Sequence, residues 1–315
     1  MSLLSHYWTI SPRLRHAWKP VPAPETRSWE TAMDDPWAGR VRISGFLREE
    51  PGAGELLVLV HGLGGSTESH YMLRGARAAR AAGLSCLRIN LRGCDRQGGD
   101  YYHAGLTADL HAAFTAEDLR HYRRIYLIGY SLGGHVVLRL ATEEGDPRIA
   151  AVAAVCAPID LARSQEAIDS PPFWLYRRYL LASLNDIYTA VAARRAPRPV
   201  PFPVERLKEI KTLRDWDEHI VAPRHGFTGA SDYYARASVA PRLADLRVPA
   251  LLLNSESDPM VPAWTVRPAL EHPAPRLEVR WVRRGGHVAF PKWAYTGLGE
   301  GSVDEQLIGW LRGAR

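Results

Sequence analysis

Five consecutive apolar residues, Leu56-Leu57-Val58-Leu59-Val60, stop abruptly at His61-Gly62. A short run without polar alternation reads as a strand buried on both faces, as in a parallel sheet covered by helices. Further strands are read at 85–90 (SCLRIN), 125–130 (IYLIGY), 149–157 (IAAVAAVCA), 250–255 (ALLLNS) and 277–282 (LEVRWV). Between these runs the apolar spacing becomes helical. The helical stretches fall at 69–82, closed by Gly83, at 103–121, at 132–144, closed by Gly145-Asp146-Pro147, and at 303–311. Strands alternating with helices predict the α/β class, with a mostly parallel twisted sheet and helices on both faces.

Two stretches break the alternation. Residues 1–40 are rich in Pro, Trp and Arg without a clear period, so an irregular arm is expected there, with a first strand or strand pair at 39–48. Residues 158–246 are helical, aromatic and Pro-rich, and divide the regular pattern. The expected organisation is an arm (1–40), a core in two pieces (41–157 and 247–315) and a helical cap or lid inserted between them (158–246).

Candidate chemistry sits where the strands end. Gly129-Tyr130-Ser131-Leu132-Gly133 matches G-x-S-x-G, a weak pattern alone, but here it directly follows a strand and opens a helix. That is the setting of a nucleophile elbow, which lifts the Ser hydroxyl clear of the sheet and aims helix N-terminal amides at a developing oxyanion. His61-Gly62-Leu63-Gly64-Gly65 follows the first core strand, so the backbone amides of Leu63 and Leu132 are the expected oxyanion donors, with His61 bracing the loop. In the order Ser, acid, His, the acid follows strand 250–255. Asp258 is the better candidate there, with Glu256 as rival. His287, in Arg284-Gly285-Gly286-His287, lies beyond the next strand, where a base is needed. Ser131, Asp258 and His287 together would perform acyl transfer through a covalent intermediate.

Six segments carry a closer likeness: HGLGGS (61–66), NLRGC (90–94), YHAG with Asp109 (102–109), GYSLGG (129–134), HGF with YY and Ser238 (225–238), and GGHVAF (285–290). In these the chain resembles the YheT-like branch of the α/β hydrolases over roughly residues 55 to 312; DPMVP (258–262) also resembles the acid loop of many α/β hydrolases. The departure is at 27–50, which looks shorter and less regular than the usual leading strands. The resemblance implies an α/β-hydrolase fold and an esterase-like activity on acyl esters, with acyltransferase or phospholipase chemistry on the same triad as the alternative. A peptidase and a non-catalytic binding protein are more distant readings. Arg92 and Asp109 are expected to anchor loops near the active edge. The apolar cap should line an acyl pocket, and Phe173, Trp174, Phe227 and Tyr233 are its candidate wall, favouring uncharged short- to medium-chain acyl groups.

Composition narrows the partners. The formal net charge is +6, mostly from dispersed Arg, with no long basic run and no zinc-finger spacing. A solvated basic surface is therefore expected, with no nucleic-acid partner. Three cysteines (Cys86, Cys94, Cys156) without CxxC spacing argue against a disulfide framework and a structural zinc site. No metal and no cofactor are expected. The first twenty residues lack a secretory pattern and no apolar run could span a bilayer, so a cytoplasmic location is expected, with peripheral lipid contact left open. Oligomeric state is not legible.

Overall fold

The computed structural model describes residues 3–194, 198–272 and 274–314. Its centre is an eight-stranded sheet in the order β1-β2-β4-β3-β5-β6-β7-β8. The strands are β1 (Arg27–Asp35), β2 (Gly39–Arg48), β3 (Glu55–Val60), β4 (Ser85–Ile89), β5 (Arg124–Tyr130), β6 (Ile149–Val155), β7 (Ala250–Ser255) and β8 (Leu277–Val282). From β4 onward along the sheet every pairing is parallel, whereas β2 runs antiparallel to both β1 and β4.

The unbroken apolar runs have a direct structural reason. Leu56, Val58 and Val60 of β3 face one core layer while Leu57 and Leu59 face the other, and β5 and β7 divide their side chains in the same way. Helix α2 (His70–Ala81) and the C-terminal helix α11 (Val303–Gly313) close one face; α3 (Ala108–Phe114) and α4 (Leu132–Ala141) close the other. Ser302 and Glu305 form a reciprocal capping box that starts α11.

Between β6 and β7 the chain builds the insertion. It holds α5 (Leu161–Asp169), the long α6 (Trp174–Ala192), the short α7 (Leu213–Trp216) and α8 (Ala222–His225), and α9 (Ala230–Ala237). Helices α7 and α8 are joined by a π-helical turn, Asp217–Val221. Pro223 follows that turn, and a ring with no N–H disfavours a regular α-helix there, so the wider turn is its local accommodation. A short α10 (Ala263–Val266) follows β7.

The N-terminal segment differs from expectation. Within the stretch expected to be an irregular arm, Leu3–Trp18 is a helix, α1, and Arg27–Asp35 is the edge strand β1. The sheet therefore begins at residue 27, not 41. Of the strand or strand pair expected at 39–48, a single strand, β2, is present, joined to β1 by a turn at residues 36–38. In β1 only Trp29 is fully buried, while Asp35 and Thr31 share its inward side, so polar side chains mask the strand period. Helix α1 carries Pro12 in its interior, and its one fully buried residue is the polar Ser5 while Ile10 is only partly buried against the core, which hides its period as well.

Candidate active site

Four strand ends deliver the site residues to one rim of the sheet, the carboxyl edge where open α/β sheets place their ligands. Ser131 follows β5 directly and caps α4 at φ 53°, ψ −121°, a backbone that non-glycine residues rarely adopt. The turn closes so tightly that a Cβ at Gly129 would lie 2.1 Å from the Gly133 carbonyl oxygen, and one at Gly133 would lie 2.3 Å from the Val60 oxygen. Those two positions therefore have to be glycine for Ser131 to stand where it does.

Asp258 sits in the turn after β7 and is buried. Its Oδ1 accepts the amides of Met260 (2.8 Å) and Val261 (3.0 Å), which fixes the carboxylate. His287 Nδ1 lies 2.9 Å from Asp258 Oδ2 and 3.1 Å from Oδ1. Glu256, the rival acid, points away and pairs with Arg267 at the surface (2.6 Å). The His287 amide is held in turn by Thr9 Oγ1 of α1 at 2.8 Å. Ser131 and His287 line the same cavity. Among the described residues the Ser131 hydroxyl bonds to no protein group, so a proton transfer to His287 would need the imidazole Nε2 to reach it once a substrate is seated. Catalytic contacts commonly tighten in this way on binding.

The loop after β3 is built to expose amides. His61 is fully buried, with Nδ1 against the Gly62 carbonyl (2.8 Å) and Nε2 accepting the Leu91 amide (3.0 Å). Burial lowers its pKa to about 4, so the ring stays neutral and braces the loop. Tyr71 accepts the Gly62 amide (3.1 Å) and Tyr102 accepts the Gly64 amide (2.8 Å), while the intervening Leu63 amide has no protein acceptor among the described residues. Leu132 is the first residue of α4, where an amide has no intrahelical partner. A close approach keeps the Ser131 side chain beside this loop: a Cβ at Gly62 would lie 2.9 Å from Ser131 Cβ.

The cavity holds about 290 Å³ and is bounded by the strand ends, the insertion and α1. Its wall is mainly apolar, including Leu161, Ile168, Leu180, Leu184, Trp216 and Val221. Of the four residues expected to line it, Tyr233 does, and its hydroxyl also accepts the Ala104 amide (2.9 Å). Phe173, Trp174 and Phe227 do not. Phe173 is buried in the core, Trp174 is 54 % exposed, and Phe227 packs on His103 and Tyr233 beneath Arg236. A helix turns adjacent residues to different faces, so a stretch such as PFWLYRRY contributes only some of its aromatic residues to any one cavity.

Sequence reasoning missed several lining residues. Asp217, on the π-helical turn, faces the cavity and accepts a hydrogen bond from Tyr234 (2.7 Å). Burial raises its carboxyl pKa to about 7, the Tyr234 bond opposing the shift and Asp169 adding to it. Thr9, Arg13 and His16 of α1 also line the cavity. No motif marks any of these. Cys156 was read only as one of three isolated cysteines, yet Cys156, Asp258 and His287 bring potential ligand atoms within 4.8 Å of one another. The site fits a metal poorly: burial holds the Cys156 thiol well above its usual pKa, and Asp258 already engages His287 Nδ1.

The NLRGC segment is an anchor. Arg92 is buried and reaches Asp109 (3.1 Å), Asp100 (2.8 Å) and Asp35 (2.9 Å). Asp100 continues the network to Arg224 of α8 (2.7 Å), tying the insertion to the core. From HGF…YY…S, the Ser238 hydroxyl accepts the Leu161 amide (3.0 Å) and so fixes the start of α5.

The chain and its fold have counterparts among known proteins. A model of the alpha/beta hydrolase family matches residues 57–294. "Putative esterase YheT" of Escherichia coli K12 is 32% identical over 247 residues, covering 74% of this chain and 70% of that protein. The chain is a YheT-like α/β hydrolase. The "Medium-chain fatty acid ethyl ester synthase/esterase 2" of Saccharomyces cerevisiae is 30% identical to this hydrolase over 278 residues, 78% of this chain. The hydrolase spans 61% of that yeast protein's length. Among solved structures, an esterase of Pyrococcus furiosus superposes with a TM-score of 0.54 at 18% identity, covering 84% of this chain and 85% of its own. That likeness speaks to the fold. Among the described residues no helix of the hydrolase is long and apolar enough to cross a membrane.

Proposed function

We propose that this hydrolase is a serine esterase that cleaves uncharged acyl esters through an acyl-enzyme on Ser131. The observation that carries the reading is the Asp258-held imidazole of His287 on the wall of the cavity that also holds the strained Ser131 elbow. Ser131 Oγ attacks the ester carbonyl carbon as its proton passes to His287 Nε2. The carbonyl oxygen becomes an oxyanion, received by the Leu63 and Leu132 amides. The bond to the leaving alkoxide then breaks and His287 returns its proton to that oxygen. Water, deprotonated by His287, repeats the sequence on the acyl-enzyme and releases the acid. Asp258 fixes the imidazole tautomer throughout.

The apolar wall and the 290 Å³ volume suit a short- to medium-chain acyl group, since the cavity lies near the lower end of ligand pockets. The relatives named as esterases, including the yeast synthase/esterase of medium-chain ethyl esters, support the same class. A panel of p-nitrophenyl esters tests it. Butyrate through octanoate should be cleaved by wild type and not by Ser131→Ala. Cleavage only of strongly charged esters, or equal cleavage by the variant, contradicts the proposal. Product analysis with added ethanol separates hydrolysis from transfer to an alcohol.

A further inference from the structure

Helix α1 sets polar residues beside the cavity and leaves an apolar stripe in solvent, with Ile10 packed against the core. Thr9, Arg13 and His16 turn toward the cavity, where Thr9 Oγ1 holds the His287 amide at 2.8 Å and Arg13 stacks 3.8 Å from the Tyr179 ring centroid. His6 reaches the Tyr176 hydroxyl at 2.7 Å, so the helix bridges α6 and the His287 loop along the cavity wall. At 100° per residue, Leu3, Tyr7, Leu14 and Trp18 fall within about 60° of arc on the opposite side. They are 88%, 46%, 64% and 90% exposed. An apolar stripe facing solvent is costly for a surface helix unless something covers it.

The charge beside the stripe points to the cover. Residues 3–24 contain Arg13, Arg15 and Lys19 and no Asp or Glu. Further exposed apolar side chains lie next to residues that contact α1. Trp174 and Leu175 precede Tyr176, the partner of His6, and Trp293 lies under Arg284, two residues from the Gly286 that packs on Thr9. An apolar stripe rich in Leu and aromatic residues, with basic and no acidic neighbours, is the pattern of a helix lying in a lipid interface.

We infer that the outer face of α1 docks the enzyme on a lipid surface bearing anionic headgroups, setting the cavity that α1 helps to wall beside the layer where apolar esters partition. Arg15 and Lys19 would meet the headgroups while Leu3, Tyr7, Leu14 and Trp18 enter the acyl boundary. The choice of partner rests on the esterase reading; the binding itself does not.

Flotation with sized vesicles tests this, using phosphatidylcholine alone and phosphatidylcholine with phosphatidylglycerol. Wild type should bind the anionic vesicles, less so at high salt. Leu14→Asp and Trp18→Asp should each lower partitioning about tenfold or more. Both variants should keep the wild-type Tm and turnover of a water-soluble acetate ester, because neither side chain lines the cavity. Arg15→Glu with Lys19→Glu should weaken binding to anionic vesicles alone. The inference is overturned if folded wild type floats with neither vesicle type or if the Asp variants bind as wild type does. It is equally overturned if the stripe mediates self-association that the same substitutions abolish. Failure of the ester panel with vesicle binding intact would remove the esterase reading and leave the docking surface standing.

Discussion

His287 can serve as a base through Nε2 only if Nδ1 carries the proton, and the Asp258 carboxylate at 2.9 Å enforces that tautomer. Asp258→Asn keeps the shape but permits the wrong tautomer. The expected loss in kcat is on the order of 10⁴-fold, with an unchanged unfolding transition. Ester kinetics beside thermal unfolding check this, and Glu256→Gln, altering only a surface pair with Arg267, should leave kcat unchanged. Asp217 supplies a different test. Its pKa, raised to about 7 by burial, lies above that of the unfolded chain. Folding therefore takes up a proton in the window between them, and stability falls as pH rises from about 4 to about 7. Asp217→Asn lacks this penalty, so its stability relative to wild type should rise between pH 5 and pH 8 in urea denaturation. A pH-independent difference would place the carboxyl in water.

At the scale of elements, the elbow is the most constrained feature. Gly133→Ala would drive a Cβ against the Val60 and His61 carbonyl oxygens, at a cost of about 1–3 kcal/mol of overpacking and with the Ser131 hydroxyl displaced. Denaturation and ester turnover should fall together; a stable, fully active variant would contradict the geometry. This element was legible in the sequence because strand run, G-x-S-x-G and helix follow one another without interruption. Strand 250–255 was legible to the residue because a fully covered strand leaves an apolar run, and 277–282 because a half-buried strand alternates apolar with charged residues. Helix α1 and strand β1 were not. Each turns polar side chains inward, so the periodicity that betrays an amphipathic element is inverted or diluted. The stretch 103–121 reads as one amphipathic helix, but α3 spans only Ala108–Phe114 and a separate 3₁₀ turn follows at Glu117–Leu119. The triad candidates were visible because motif and strand end coincide. Asp217 and the α1 contacts were not, because they reach the cavity only through tertiary packing.

Across the whole molecule, the buried charges join parts that the sequence separates widely. Arg92 bridges Asp35 of β1 with Asp100 and Asp109, and Asp100 passes the link to Arg224 in the insertion. Removing one partner of such a network leaves uncompensated buried charge. Arg92→Ala should cost about 3–5 kcal/mol in chemical denaturation, far more than loss of an exposed pair such as Arg206–Glu209. The same network holds the insertion over the strand ends, so the cavity depends on pieces from the arm, the core and the insertion together. On the proposed reading this assembly makes the Ser131 hydroxyl the nucleophile. A fluorophosphonate probe with peptide mapping decides whether it does. Wild type should gain one adduct, on the peptide containing Ser131, and Ser131→Ala should gain none. An adduct on any other residue, or labelling of the folded variant at the wild-type rate, would contradict it.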